Sequence, residues 1–358
     1  MKKLFLFALF AALCCSCTES GTDENTDPNG GSNSGQTTPP DPDSDAKDVI
    51  HVPKGGMLAG ILNELGLKSP SSLKLSGTLG VSDFTTLRNI QSLEHLDISR
   101  VNLSVLPTEA FLECTNIKSV ILPNTLTAIG TQAFWGSSLV SISIPASVEE
   151  IRGSAFFGCS SLKTVTFEKE SKLKTVAGFS HCTSLTTIEI PASVETIGQY
   201  AFNDCTSLHT VTFEKGSKLK TIGSDVFLNC TSLTMIEIPA SVETIEDQAF
   251  EGCSLLATVT FEKGSQLKTV DGFSNCTALT TVDMSACTQV TRIEYRAFYE
   301  DSKLQLFKIG TRTPPSCGRN VFTGINSYSV LKVPAGCVDA YKNATGWKEF
   351  TTISELDE

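Results

Sequence analysis

Hydrophobic residues return along this chain at a nearly constant interval from residue 111 onwards. A phenylalanine recurs every 22 to 25 residues, at Phe111, Phe134, Phe156, Phe179, Phe202, Phe227, Phe250, Phe273, Phe298 and Phe322. In the copy from Cys182 to Phe202, the apolar residues Leu185, Ile188 and Ile190 alternate with polar ones at the end of the run, which predicts a short strand with one inward face. Pro191 follows directly and, lacking an amide hydrogen, ends that strand.

One such repeat cannot fold alone, because the cost of ordering its residues exceeds the gain from burial. Burying seven side chains contributes roughly 10–20 kcal/mol, whereas ordering its two dozen residues costs on the order of 1–2 kcal/mol each. Stacked copies cover one another's open ends and pair their strands. The pattern therefore predicts a repeat solenoid: a curved coil with a parallel β-sheet on the concave face, short turns or 3-10 segments opposite, and a C-terminal capping helix.

The two ends of this region differ from its middle. Met57–Leu67 predicts a short helix, and Leu96–Ile98 is predicted to be the first regular strand. Val338–Phe350 predicts an amphipathic capping helix in which Trp347 seals the last coil. The expected organisation is a signal peptide at 1–17, a disordered acidic tether at 18–48, an N-terminal cap with one irregular coil at 49–100, repeats at 101–325 and a capping module at 326–358.

The repeat also carries a family signature. The pattern Ala-Phe-x-x-Cys-x-x-Leu-x-x-Val-x-Ile-Pro-x-x-Val-x-x-Ile resembles the BspA-like leucine-rich repeat family of bacterial cell-surface lipoproteins. The ending Val333–Gly336, Ala340-Tyr341 and Gly346-Trp347 is similar to the C-terminal module of that family. The resemblance covers about residues 70 to 353. It implies the leucine-rich repeat fold, and the family includes adhesins for host matrix proteins.

The N-terminus has the features of an export signal. Lys2 and Lys3 precede an apolar run of about a dozen residues, which is too short for a membrane span and fits a signal peptide. Ser16 before Cys17 resembles the lipobox of bacterial lipoproteins, with Cys17 as the lipid-attachment residue and Cys15 as the second choice. An ordinary cleaved signal peptide is the alternative.

The segment after Cys17 is polar and acidic. Residues 18–48 contain eight acidic residues and one lysine, and their composition cannot offset chain entropy by burial. Glu19, Asp23 and Glu24 resemble the export signal of surface-exposed lipoproteins, which implies a lipid-anchored protein of the outer membrane facing the exterior; the alternative is that these acids only keep a linker soluble. The whole chain has a formal charge of −11, which argues against a nucleic-acid partner. We expect the membrane to be contacted through the lipid alone, and we expect a monomer.

Cysteines form a second periodic series, three residues after the repeat phenylalanine. They are Cys114, Cys159, Cys182, Cys205, Cys230, Cys253 and Cys276. Disulfides or a metal row would need side chains that converge, whereas residues in register point the same way. We therefore expect buried thiols that fill space. A bridge between Cys317 and Cys337, which lie outside the series, stays open.

Motifs for catalysis are not found in the sequence. The four histidines share no motif, and the chain has no His-Glu-x-x-His, no Gly-x-Ser-x-Gly and no phosphate-binding glycine loop. We predict that the protein is not an enzyme, with no catalytic residue, no metal site and no cofactor. The Glu-Lys turns, such as Glu168-Lys169, are interpreted as a solvated rim.

The outward residues of the strands are the candidate binding residues. They form a surface of hydroxyls with regularly spaced carboxylates on the presumed concave side. The residues are Ser143, Thr164, Thr166, Thr187, Glu189, Thr210, Thr212, Glu237, Thr260 and Asp283. The alternative reading is that threonine suits an exposed strand and that the acids keep the sheet soluble.

These residues support a function by binding. We predict a surface-displayed adhesion module that recognises a host or matrix protein through this face. The first alternative is a glycan-capture accessory lipoprotein of a polysaccharide uptake system, although the strand face lacks aromatic side chains that stack on sugars. The second alternative is a passive surface spacer.

Overall fold

The computed structural model describes residues 48–357. The expected signal peptide and all of the expected tether except Asp48 therefore lie outside the described residues. Three helices, α1 (Leu58–Glu64), α2 (Val81–Asn89) and α3 (Val338–Asn343), are found in this part of the chain, together with a 3-10 turn at Trp347–Glu349. The remainder is a solenoid of parallel strands and turns, which confirms the predicted fold class.

The longer strands lie side by side on one side of the coil. They are β1 (Val49–Val52), β2 (Ser72–Gly77), β3 (His95–Val101), β5 (Ser119–Ile121), β7 (Ser141–Ile144), β9 (Thr164–Phe167), β11 (Thr187–Ile190), β13 (Thr210–Phe213), β15 (Met235–Ile238), β17 (Thr258–Phe261), β19 (Thr281–Met284), β21 (Leu306–Ile309), β23 (Val330–Val333) and β24 (Thr352–Glu355). Within residues 48–357 they form two sheets, an eight-stranded one ending at β13 and a six-stranded one beginning at β15. All pairings are parallel, as expected for successive turns of a coil.

A second sheet, made of two-residue strands, runs along another side of the coil. Its strands are β4 (Val105–Leu106), β6 (Ala128–Ile129), β8 (Glu150–Ile151), β10 (Thr175–Val176), β12 (Thr196–Ile197), β14 (Thr221–Ile222), β16 (Thr244–Ile245), β18 (Thr269–Val270), β20 (Arg292–Ile293) and β22 (Ser316–Cys317). The sequence predicted short turns or 3-10 segments opposite the long strands. A strand of two residues is too short to show the alternation of inward and outward side chains, so this sheet becomes visible only when the coils are stacked.

The core is a column of phenylalanine rings. The ten repeat phenylalanines are all buried, and neighbouring rings from Phe111 to Phe322 stack with centroids 4.7–5.7 Å apart. Such spacing adds aromatic attraction to the burial of large apolar surfaces. Phe84 closes the column edge-on at one end, and Trp347 packs on Phe322 at the other. The inward position of the repeat phenylalanines and the sealing position of Trp347 match the prediction.

Both ends differ in detail from the sequence-based expectations. The strand at Leu96–Ile98 is the third of its sheet, not the first, because β1 and β2 precede it. The C-terminal helix stops at Asn343 instead of continuing to Phe350. Ala344, directly after the helix, has an extended backbone, and Gly346 has a φ of 87°, so the chain leaves the helical conformation before Trp347. The chain then adds β24 as a final strand.

Candidate binding surface

The ten predicted binding residues all lie on one side of the long strands, which we call the strand face. Alternation along each strand points every second side chain outward, and parallel register aligns these side chains in two columns. Thr164, Thr187 and Thr210 are in register in one column, and Glu189 pairs with Thr212 in the other. Eight of the ten are exposed, while Thr260 and Asp283 are half-buried.

The three predicted carboxylates of the strand face have different surroundings. Glu189 and Glu237 are exposed and form no ion pair within residues 48–357. Asp283 accepts hydrogen bonds from the amide and hydroxyl of Ser285 at 3.1 and 2.6 Å, and Lys308 Nζ lies 2.9 Å from its other oxygen. Lys308, which the sequence analysis missed, lies next to Asp283 in the same column of the sheet.

The surroundings of Asp283 shift its pKa. Partial burial raises the pKa, but the hydrogen bonds from Ser285 and Lys308 together outweigh that effect, so the pKa of Asp283 lies below its usual range. Asp283 is therefore ionised and already neutralised by Lys308 within the protein. Glu189 and Glu237 are the strand-face carboxylates whose charge remains available to a partner.

The strand face is divided by seams, at which neighbouring long strands lose their pairing. Strands β7 and β9, β11 and β13, and β15 and β17 each pair over four residues. In contrast, β5 and β7 pair only at Ser119–Ser141, β9 and β11 pair only at Thr164–Thr187, and β13 and β15 belong to separate sheets. The strand after each of these three seams is followed by a proline, Pro145, Pro191 or Pro239. Proline has no N–H to give to the carbonyl of the preceding coil, so one hydrogen bond between coils is lost at each seam.

A recess lies at the seam between β9 and β11, at the carboxyl ends of these two strands. It has a volume of about 380 Å³ and is lined by Val165, Thr166, Phe167, Glu168, Lys169, Glu189, Pro191 and Glu214. We call it notch 1. Two of the predicted binding residues, Thr166 and Glu189, are part of its lining.

The Glu-Lys turns are more than a solvated rim. Oε2 of Glu168 accepts the amide of Ala146 at 3.2 Å, and Oε2 of Glu214 accepts that of Ala192 at 2.8 Å. Each glutamate thus joins its turn to the proline turn of the preceding coil. Because one carboxylate oxygen is held by the backbone, the position of the other oxygen is fixed as well.

An aromatic row on the turn side was missed by the sequence analysis. The rings of Trp135 and Phe157 stack with centroids 4.2 Å apart, and His181 packs edge-on against Phe157 at 4.9 Å. All three side chains are partly exposed. The signal was present in the sequence, because Trp135 and Phe157 each directly follow a repeat phenylalanine and so occupy one column. The row was missed because aromatic side chains were considered only on the strand face.

The cysteine series confirms the expectation of buried thiols. The ten cysteines of residues 48–357, including Cys317 and Cys337, are all free. From Cys159 to Cys276 each ladder thiol donates a hydrogen bond to the carbonyl of a repeat phenylalanine of the preceding coil, at 2.9–3.3 Å. Burial raises the pKa of Cys205 and Cys253 to about 12, so these thiols are neutral and unreactive.

Asp301 takes the place of a cysteine in this series. It is completely buried, and its Oδ1 accepts the amide of Cys276 at 2.9 Å. Burial raises the pKa of Asp301 well above its usual range. The side chain is therefore a neutral acid that fills the position of a thiol.

Residues 48–357 contain no group of three or more His, Cys, Asp or Glu side chains that could hold a metal ion. Nor does any helix within this range have the length and apolar character that crossing a membrane requires.

Comparisons with known proteins agree with this architecture. Residues 84–178, 175–305 and 265–353 match the repeat described as BspA type leucine rich repeat region, in six copies. No curated protein matches the sequence significantly.

Several solved structures are similar in fold. A leucine-rich repeat protein from Bacteroides ovatus is 22% identical, with 80% of this chain and 87% of that one covered and a TM-score of 0.48. A leucine rich cell surface protein from Faecalibacterium prausnitzii is 23% identical, covering 59% and 72%, with a TM-score of 0.35. The pneumococcal vaccine antigen PcpA is 18% identical, covering 81% and 80%, with a TM-score of 0.39.

Proposed function

Because this chain belongs to the BspA-type leucine-rich repeat family, we propose that it is a non-enzymatic binding module that recognises a protein partner through the strand face. The family and the solenoid fold are typical of proteins that act by interaction. A host or matrix protein is the partner class that the family resemblance suggests.

One observation carries this proposal. The strand face offers exposed hydroxyls together with two carboxylates, Glu189 and Glu237, that have no ion-pair partner in the described chain. Because these side chains are aligned in register across successive coils, they suit an extended ligand that contacts several coils at once. Electrostatic complementarity across such a face sets the choice of partner and the association rate more than the total affinity.

The test is to apply the purified protein to arrays of matrix proteins and of glycans. Reversing the charge at Glu189→Lys and Glu237→Lys together should reduce binding to any true strand-face partner at least tenfold, since it replaces attraction by repulsion. Glu149→Lys is the matched control, because Glu149 is also exposed but precedes the opposite sheet at β8. Binding that survives the double change, or falls equally with the control, would show that another surface is used.

Glycan capture remains a second candidate because of the aromatic row. Trp135 and Phe157 are partly exposed, and aromatic rings are the usual platforms for sugars, but these two rings stack on each other. Glycan binding that is lost in Trp135→Ala, and that is unaffected by the strand-face changes, would favour this candidate. A protein that binds neither array would instead be a passive surface spacer.

We also propose that the protein is displayed at the outer membrane, facing the exterior, through a lipid on Cys17. The proposal rests on the basic start, the apolar run and the Ser16-Cys17 junction of the sequence. Cys17→Ala should move the protein from the membrane fraction to the soluble fraction. Cys15→Ala is the control and should leave it in the membrane. The opposite pair of results would reassign the attachment to Cys15.

A further inference from the structure

Notch 1 exists because long and short turns alternate along the solenoid. Long turns follow β9 and β13, running over residues 168–172 and 214–218. The turn between them, at Pro191–Ser193, is two residues shorter. The shorter coil therefore leaves a gap between its two neighbours, and Phe167 stays half-buried at the bottom of that gap.

The lining of notch 1 combines an apolar base with an acidic rim. Phe167 and Pro191 form the apolar part, whereas Glu168, Glu189 and Glu214 outnumber the single Lys169. Glu214 is held in place by its bond to the Ala192 amide, so its free oxygen is preorganised. The net charge of the rim is negative. A side chain with an apolar stem and a cationic end fits this combination, which describes arginine or lysine.

The same residues recur one super-repeat later, around β15. The counterparts are Phe213, Glu214, Lys215, Glu237, Pro239 and Glu262. We call this set notch 2. Phe213 is half-buried, and Oε2 of Glu262 accepts the amide of Ala240 at 2.9 Å. The seam at this position, between β13 and β15, is completely unpaired.

A third copy around β19 lacks these features. Ser285 stands in place of the proline, and Phe261 is buried at 7% exposure. Asp283 is already bound by Lys308, and Gly310 occupies the position of the outer glutamate. Notches 1 and 2 therefore form a pair along the strand face.

Among extended ligands, the spacing of the two notches favours one form. Their central strands, β11 and β15, are two coils apart, and at the usual strand spacing two coils span about 10 Å. In a polyproline-II helix, residues i and i+3 point the same way and lie about 9 Å apart. In a β-strand, same-side residues lie about 7 Å apart at i+2 and about 13 Å apart at i+4, so neither matches.

We propose that notches 1 and 2 together bind two basic side chains at positions i and i+3 of a polyproline-II segment in the partner protein. This inference rests on the proposed function, since it names the chemistry that the strand face recognises. Arginine suits both notches, because its guanidinium pairs with carboxylates and stacks on an aromatic ring such as that of Phe167.

The experiment is a titration of the purified protein into labelled proline-rich peptides, followed by fluorescence anisotropy. One peptide carries arginines at i and i+3, a second carries them at i and i+1, and a third has glutamines at i and i+3. Only the first should bind well, and its binding should weaken at high salt. Equal binding of all three peptides, or no binding of the first, would overturn the proposal.

Variants locate the binding site. Glu189→Gln with Glu237→Gln should weaken binding of the first peptide about tenfold, since each exposed pair contributes up to ~1 kcal/mol. Glu149→Gln is the matched control, because Glu149 is also exposed but precedes the opposite sheet at β8, and it should change binding less than about twofold. An equal loss in both variants would contradict the assignment to the notches.

The results distinguish a failure of the notch proposal from a failure of the proposed binding function. If a matrix protein binds the strand face but the i, i+3 peptide does not, the notch proposal fails and the binding function stands. If the peptide binds and no matrix protein does, the notches are correct and the partner lies in another class of protein. If neither binds, both proposals fail.

Discussion

The seam before β15 and the seam before β19 join the same two kinds of coil, yet only one of them is closed. Strands β13 and β15 share no ladder, whereas β17 and β19 pair at Thr258–Thr281, Val259–Val282 and Thr260–Asp283. The inward residues are equivalent in both places. The difference lies in the residue that follows the second strand, which is Pro239 at the open seam and Ser285 at the closed one.

This difference extends to the side chains around each seam. Where the ladder is closed, Phe261 is buried and the carboxylate of Asp283 is bound by Ser285 and Lys308. Where it is open, Phe213 is half-buried and Glu237 is exposed. The proline at the open seam is thus accompanied by a half-exposed aromatic ring and an available charge, whereas the amide of Ser285 at the closed seam binds Asp283 of its own coil. At the open seams, the aromatic ring and the carboxylate remain accessible to a partner. At the closed seam, the equivalent ring and carboxylate are used in contacts that stabilise the fold.

The largest effect should come from the two phenylalanines at the strand ends. Phe261→Ala should lower the free energy of unfolding by about 3–4 kcal/mol, the usual cost of removing a buried aromatic side chain. Phe213→Ala should cost about half as much, because its ring is already half in water. Denaturant unfolding of both variants measures the difference. Equal losses would show that the open seam is as well packed as the closed one.

A smaller effect is expected from introducing a proline at the closed seam. Ser285→Pro removes the amide and hydroxyl that bind Asp283 and should destabilise the protein by about 2 kcal/mol. Ser285→Ala is the control, which removes only the hydroxyl and should cost about 1 kcal/mol. Hydrogen exchange in β17 and β19 should rise in the proline variant alone. If both variants behave alike, the backbone donor at residue 285 does not hold the seam closed.

The carboxylates should differ in their dependence on pH. The lowered pKa of Asp283 means that its ion pair stabilises the folded state at neutral pH and that this contribution is lost as the pH falls below about 4. Asp283→Asn should therefore lower stability by about 0.5–1 kcal/mol at pH 7, and the difference should shrink as the pH falls through the lowered pKa of Asp283. Glu237→Gln should change stability by less than about 0.5 kcal/mol. Thermal unfolding of both variants across this pH range provides the measurement, and a pH-independent cost at Asp283 would contradict the ion pair.

The features that repeat were predictable, because a period reveals which side chains face inward. The phenylalanine column, the buried thiols and the outward threonines each follow from register alone. The cap was less predictable, since its contacts join distant residues once only. Asp83 is an example: its buried carboxylate accepts the amides of Gly56, Leu58 and Gly80 at 2.6–2.9 Å, and no pattern in the sequence connects these positions.

The candidate site was predicted only in part, for a related reason. Alternation placed Glu189, Glu237 and Asp283 on one face, but it treated them as equivalent. The ion pair of Asp283 depends on Lys308, 25 residues away and in the next coil. The prolines were predicted to end their own strands, and the further effect on pairing with the preceding coil requires the stacked arrangement. Trp135 and Phe157 show the same limit, since each is unremarkable until the coils lie side by side.

The most direct test of the comparison, with only a small net change in stability, is to close the open seam. Pro239→Ser restores a donor toward β13, worth about 0.5–1.5 kcal/mol, but it also frees the unfolded chain by about 0.4–1 kcal/mol. These terms nearly cancel, so overall stability should change by less than about 1 kcal/mol. Local protection should nevertheless rise, because amide exchange reports opening of the strand itself. Slower exchange in Met235–Ile238, together with weaker binding at notch 2, would show that proline keeps this seam open for a ligand, whereas unchanged exchange would mean that the coil geometry around β13, and not the missing N–H, separates the two sheets.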